Sequence, residues 1–241
     1  MAVAIVGYRT YPDGNVQNQV DDLELASTFI ATRYPHLSKR PDFVDKNEWI
    51  GVSLVGHSSG THIAMLKLVQ RIEKWATNKE TPHHDALTLK FDTMIGLSGV
   101  YSVQEHFDIE SGRGVEELSP MKPACGFTME SFDYHSPALR LVDCSQDKLC
   151  LQSNCLPDVL LVHGIDDDTV PFTSAYRAAK LFRGWGYSNL ETEFLVDTGH
   201  QDLIEHLMFE GETKDVVMSW LQTPVKCSNN TRARVELETK L

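Results

Sequence analysis

The chain has no uninterrupted apolar stretch approaching the ~20 residues that a membrane-spanning helix requires. Its opening, Met1-Ala2-Val3-Ala4-Ile5-Val6, lacks the basic flank and the length of a signal peptide. Positive charge is also scarce: 22 Lys and Arg stand against 34 Asp and Glu, a net charge of −12. That argues against nucleic-acid phosphates and anionic membrane surfaces as partners, because both demand clustered basic side chains. A small neutral or cationic substrate is more compatible. Cysteine is sparse and odd in number (Cys125, Cys144, Cys150, Cys155 and Cys227), with no C-x-x-C spacing. Neither a zinc site nor a complete disulfide framework is implied. Reduced thiols are the default, with a lean to a cytoplasmic or endoplasmic-reticulum-associated setting. The crowding of Cys144, Cys150 and Cys155, together with the sequon Asn229-Asn230-Thr231, keeps a lumenal or secreted setting open. His83 and His84 form a pair in a polar stretch and read as solvated loop residues before they read as a metal site. No cofactor or metal is expected.

What is present is an ordinary globular composition, 41% hydrophobic over 241 residues, enough for one sizeable core. Ala2 to Val6 reads as a buried strand. Asn15 then caps a helix with apolar residues at helical spacing (Val16, Val20, Leu23, Ile30), stopped by Pro35. The run Ile50 to Val55 reads as a strand, followed by a helix whose buried stripe is Met65, Leu68, Val69 and Ile72. Further strands are expected at Phe91 to Leu97, Val159 to Val162 and Thr192 to Val196. Helices are expected from Pro171 to about Arg183 and from Asp215 to Leu221. Such alternation predicts an α/β fold with a doubly wound, mostly parallel sheet. Tyr101 to Pro157 is far longer than the ~2–6 residues usual between a strand and its neighbour, and is expected to be a lid insertion. The domain is expected to span 1–222, with 223–241 a polar, disordered tail.

Three motifs carry chemistry. Gly56-His57-Ser58-Ser59-Gly60 falls where a strand gives way to a helix and reads as a nucleophile elbow, a sharp turn that displays Ser58 at the end of a sheet. After a later strand comes His163-Gly164-Ile165-Asp166-Asp167-Asp168-Thr169-Val170-Pro171, and after the next, Gly199-His200. The order is Ser, Asp, His. Any of the three aspartates could instead cap the helix beginning at Pro171. His200 has an alternative as a solvent-exposed loop residue, and His206 is a weaker substitute because it falls in a helical stretch. His57 and His163 are expected to serve packing and turn geometry.

These residues resemble the α/β-hydrolase superfamily of serine carboxylesterases, in the group of hormone-sensitive-lipase-like and isoprenylcysteine-methylesterase-like enzymes, with kynurenine-formamidase-like hydrolases close by. Tyr8-Arg9-Thr10-Tyr11-Pro12-Asp13 resembles the family's Y-R-x-x-P-[ED] turn, and Asp22 falls where the family places an acidic residue on the following helix. His163 to Pro171 resembles its H-G-x-x-D-x-x-V-P acid loop, which selects Asp167 over Asp166 and Asp168. The resemblance implies Ser58 as nucleophile, His200 as base, Asp167 as its orienting acid, and the backbone N–H of Ser59 as an oxyanion donor. Counted against the family, Met1 falls inside the fourth strand. The first three strands and the H-G-G loop with the second oxyanion donor are therefore expected to belong to a longer parent, and the chain to be an N-terminally truncated, impaired catalyst. Asp45-Lys46-Asn47-Glu48 also departs from the family's G-x-D-P approach to the elbow strand.

The reading is a cofactor-free serine esterase acting on a small-molecule ester. A peptidase of the prolyl-oligopeptidase sort and a formamidase are alternatives within the fold, and a non-catalytic small-molecule-binding module is one outside enzymology.

Overall fold

The structure, a computed structural model, describes residues 2–35, 51–78, 89–140 and 156–222. The first regular element is helix α1, Val16–Arg33. Its start is written in the sequence: Asn15 accepts the Asn18 amide through its side chain, and the Asn18 side chain accepts the Asn15 amide in return, satisfying two donors the helix cannot satisfy itself. Val16, Val20, Leu23 and Ala31 turn inward as the helical spacing requires.

Strand β1, Ser53–His57, leads directly into helix α2, Ser59–Asn78, and strand β2 follows at Thr93–Leu97. Strands β3, Asp158–Gly164, and β4, Leu190–Leu195, are joined by helix α7, Thr173–Gly184. Among the described residues the sheet is parallel throughout, in the order β1-β2-β3-β4. Its register pairs Val55 with Ile95, Thr93 with Asp158 and Val159 with Leu190. Alternation of side chains divides the core in two. Met94, Val159 and Leu161 face the layer that includes α1, α2 and α7. Ile95, Leu97, Leu160, Val162 and Leu195 face Leu203 and Val217, from α8, Asp202–Phe209, and α9, Glu212–Gln222. Both faces of the sheet are therefore covered, which is why β2 and β3 are buried along their whole length and read as continuous apolar runs.

Residues 2–10 carry no strand, which corrects the expectation at Ala2 to Val6. A strand exists only through pairing with a neighbour, and this segment lies outside the sheet with Val3 and Ile5 at 76% and 96% exposure. The described part of the stretch expected to be a lid insertion is helical. It forms α3 (Val103–Gly112), α4 (Met121–Cys125), α5 (Met129–Tyr134) and α6 (Pro137–Arg140). Tyr101, Val103, Cys125, Phe132 and Ala138 from this stretch join the larger core cluster. It is tied to α2 by a hydrogen bond from His62 Nε2 to the His135 carbonyl at 2.7 Å and by the Arg140–Glu73 ion pair. Cys125 is a buried free thiol that burial pushes up to about 12. The other four cysteines, His83 and His84, the loop at 45–48 and the tail at 223–241 lie outside the described residues. Among the described residues no helix is long and apolar enough to cross a membrane.

Candidate active site

Four parallel strands point the same way, so the four turns that leave their C-terminal ends gather along one rim of the sheet. Those turns carry Ser58, Ser98, Asp167 and His200. Three of them are latched to the adjacent strand: Ser58 N donates to Leu97 O at 2.9 Å, Ser98 N to Val162 O at 3.0 Å, and Ile165 N to Leu195 O at 2.8 Å.

Ser58 stands between β1 and α2 with φ 53°, a left-handed conformation that costs a non-glycine residue free energy and persists only where the surroundings enforce it. The enforcement is visible. Its amide is held by Leu97, its carbonyl accepts His62 N at 3.1 Å to begin α2, and Gly56 lets the turn close on the backbone of Gly60 and Thr61. Thr61, in the first turn of the helix, is fully buried. Its hydroxyl donates to Leu97 O and accepts Leu97 N, at 3.0 and 3.1 Å, which fastens the helix start to the end of β2.

Of the three aspartates, Asp167 is buried while Asp166 and Asp168 are exposed. The helix that follows starts at Thr173 with Phe172 at its N-cap and no side-chain cap, so Asp167 does not cap it; its two oxygens are divided between the turn and the histidine. Oδ1 accepts the Thr169 and Val170 amides at 3.0 and 2.8 Å and so holds the turn. Oδ2 accepts His200 Nδ1 at 2.8 Å and the Ser98 hydroxyl at 2.7 Å. Burial alone would raise the Asp167 pKa. The donors converging on it, His163, His200, Ser98 and the Val170 amide, outweigh burial and hold the carboxyl well below the usual carboxylate range. His163 Nε2 lies 3.3 Å from Asp167 Oδ2 and 2.7 Å from the Val170 carbonyl. Since a carbonyl only accepts, that nitrogen carries the proton.

His200 is buried, with Nδ1 committed to Asp167, which leaves Nε2 as the nitrogen able to exchange a proton. Its backbone carbonyl accepts His57 Nε2 at 2.9 Å, and the two imidazole rings pack 4.7 Å apart at 48°. Desolvation lowers the His57 pKa, against partial opposition from that hydrogen bond. His57 thus connects the elbow to the histidine turn, since it immediately precedes Ser58. Among the described residues no hydrogen bond joins Ser58 to His200 itself; such bonds are often open in the free enzyme and close around substrate. His206 belongs to α8, and among the described residues no hydrogen bond or ion pair joins it to Asp167.

Sequence reasoning missed Ser98, whereas His57 serves packing and turn geometry as expected. Ser98 has φ 45° and repeats at the end of β2 the strained turn seen at Ser58. Its signal was a Ser-Gly pair immediately after a buried strand, too common a dipeptide to single out without knowing that β2 lies beside β3. Tyr8 was noticed only as part of a motif; its hydroxyl lies 3.1 Å from Ser59 Oγ.

The parallel sheet, the helices on both faces and the strained serine turn at the sheet's rim define an α/β-hydrolase fold. Among solved structures, esterase B from Lactobacillus rhamnosis superposes with a TM-score of 0.62 at 16% identity, covering 95% of this chain and 67% of that one. In sequence, the chain is 27% identical over 236 residues to the isoprenylcysteine alpha-carbonyl methylesterase of Arabidopsis thaliana, covering 88% of this chain and 51% of the relative. It is 24% identical over 221 residues to a probable isoprenylcysteine alpha-carbonyl methylesterase of the same plant, covering 86% and 48%. The chain therefore spans about half the length of the curated relatives it matches. No family model matches it.

Proposed function

We propose that this chain carries the catalytic rim of a serine hydrolase that cleaves a carboxylic ester through an acyl-enzyme on Ser58. The observation that supports this most is the Asp167–His200 contact at 2.8 Å, on the same rim as a serine held at φ 53°. In the first half-reaction Ser58 Oγ attacks the ester carbonyl carbon while His200 Nε2 takes its proton. Asp167 keeps Nδ1 protonated and stabilises the imidazolium that forms. The carbonyl oxygen becomes an oxyanion facing the Ser59 backbone N–H, at a helix start where amides have no partner within the helix. Collapse of the tetrahedral intermediate breaks the C–O bond to the alcohol, which leaves with the proton from His200. Water, deprotonated by the same imidazole, then attacks the acyl carbon and returns Ser58 and the free acid.

The plant relatives are named as methylesterases, so a methyl ester, whose leaving group is small, is the first substrate class to examine. The test uses the full chain with short p-nitrophenyl esters, methyl esters and a fluorophosphonate probe. Ser58→Ala is expected to abolish labelling and to lower turnover by about 10⁴- to 10⁶-fold, the scale seen when a triad member is removed. The thermal midpoint should hardly move. Labelling that survives Ser58→Ala would overturn the assignment.

A further inference from the structure

Tyr8 and Ser59 are 51 positions apart and touch through their hydroxyls, Tyr8 Oη to Ser59 Oγ at 3.1 Å. Ser59 is exposed on the surface, and a serine in the first turn of a helix would ordinarily bond to nearby backbone or to water. Here it meets a residue from a segment that has no other link to the sheet by strand pairing. That segment is anchored with care. The Tyr8 ring packs against the larger core cluster, and at the next position Arg9 grips Asp22 of α1. The Arg9 amide donates to Asp22 Oδ2 at 2.9 Å, and its guanidinium donates to Oδ1 and Oδ2 at 2.7 to 3.1 Å. Such a forked charge-assisted clamp fixes direction as well as distance. Gly14 N then closes on Thr10 O at 3.0 Å, just before the cap of α1. The Tyr8 hydroxyl is thus delivered to the first residue of α2 by a braced loop.

Ser59 matters because its peptide N–H follows the nucleophile directly. We infer that Tyr8 is a positioning residue: its hydroxyl holds the Ser59 side chain, and through it the Ser59 peptide, in the orientation that receives the oxyanion. This rests on the ester-hydrolase reading above. A hydrogen bond that acts only on the geometry of an oxyanion donor is felt in the transition state and not in the bound ester, so it changes kcat and leaves KM alone.

The experiment is a double-mutant cycle in the full chain with p-nitrophenyl acetate as the probe, comparing wild type, Tyr8→Phe, Ser59→Ala and the double variant. Tyr8→Phe keeps the packed ring, and Ser59→Ala keeps the backbone N–H. Each single variant is expected to lower kcat about three- to tenfold, the size of one neutral hydrogen bond. KM, the pH profile and the thermal midpoint should stay as in wild type. The double variant should be no slower than the slower single, because both remove the same bond. Unchanged kcat in Tyr8→Phe overturns the inference. So do losses that multiply in the double variant, and so does a slow Tyr8→Phe beside a normal Ser59→Ala, which would mean that the phenol acts on substrate directly. Should Tyr8→Phe fail to fold, Ser59→Ala alone decides, since its wild-type kcat would rule out any role for the bond. Failure of the underlying reading looks different: wild type with both hydroxyls in place would itself show no Ser58-dependent turnover or labelling, and the inference would fall with it.

Discussion

A Cβ placed on Gly56 would lie 2.6 Å from the carbonyl carbon and oxygen of Gly60 and from the amide of Thr61. All three are backbone atoms at the start of α2, so no side chain can rotate away to make room. Gly56→Ala must push β1 and α2 apart, and is expected to cost at least about 2–3 kcal/mol. At Gly60 an added Cβ meets nothing within 4 Å. Since Gly60 is inside a helix, Gly60→Ala should leave stability unchanged or raise it by about 0.5–1 kcal/mol. Urea midpoints of the two variants check this, and equal losses at both positions would show that the turn is not closed as described. The two glycines of the motif are alike in the sequence, and only the fold distinguishes them. That Ser58, Asp167 and His200 gather on one rim was legible because a strand-to-helix turn, an aspartate-rich turn and a glycine-histidine turn each leave a local trace in residue type. Ser98 and Tyr8 were not, because their contacts to Asp167 and Ser59 join residues 69 and 51 positions apart. Nothing local marks such a partner until the strand order is known.

Elements were legible in proportion to how much of their stability is local. Helix α1 begins where its cap predicts, because the reciprocal Asn15–Asn18 bonds need no other part of the molecule. Asn15→Ala removes a side-chain acceptor for the Asn18 amide, and should lower stability by about 1 kcal/mol. Asn15→Ser should recover most of it. Denaturant unfolding of the pair checks the point, and an Asn15→Ala protein as stable as wild type would mean that the helix end is held by packing alone. Strands β2 and β3 were legible for a different reason: buried on both faces, they are written as apolar runs bounded by polar turns. The same apolar character misled at residues 2–6. Five residues of suitable composition become a strand only beside a partner with free hydrogen-bonding groups, and this segment is held instead through Tyr8 and Arg9. The helices α3 to α6 were hidden because they are short, the longest running ten residues, too few turns to show a helical period among Gly, Pro and Ser.

For the molecule as a whole, buried imidazoles and bound carboxylates make stability fall in acid. His62, on α2, is fully buried against the turn between α5 and α6; desolvation pushes it down to about 4 from an ordinary 6.5, despite its hydrogen bond to the His135 carbonyl. His57 and His135 are lowered in the same direction, chiefly by desolvation. Between the folded and the unfolded pKa the unfolded chain binds a proton that the native protein does not, so stability is lost as pH falls from about 6.5 toward 4. Asp22, hydrogen-bonded by Arg9, is drawn down to about 2, and Asp167 is drawn down as well. Their contributions are intact above the unfolded value near 4 and vanish as pH falls further. The losses therefore come in sequence, histidines first and carboxylates after. From pH 7.5 to pH 5 His62 alone should remove about 2 kcal/mol, taking 1.36 kcal/mol for each pH unit below 6.5. His62→Gln keeps an N–H for the His135 carbonyl but has nothing to titrate. It should therefore be less dependent on pH by that amount, whatever its stability at pH 7.5. Urea midpoints at pH 7.5, 6 and 5 for both proteins test this. A wild-type midpoint that does not move over this range, or a variant with the wild-type slope, would show that the imidazole is charged inside the fold and that the contact between α2 and the His135 turn is open to water.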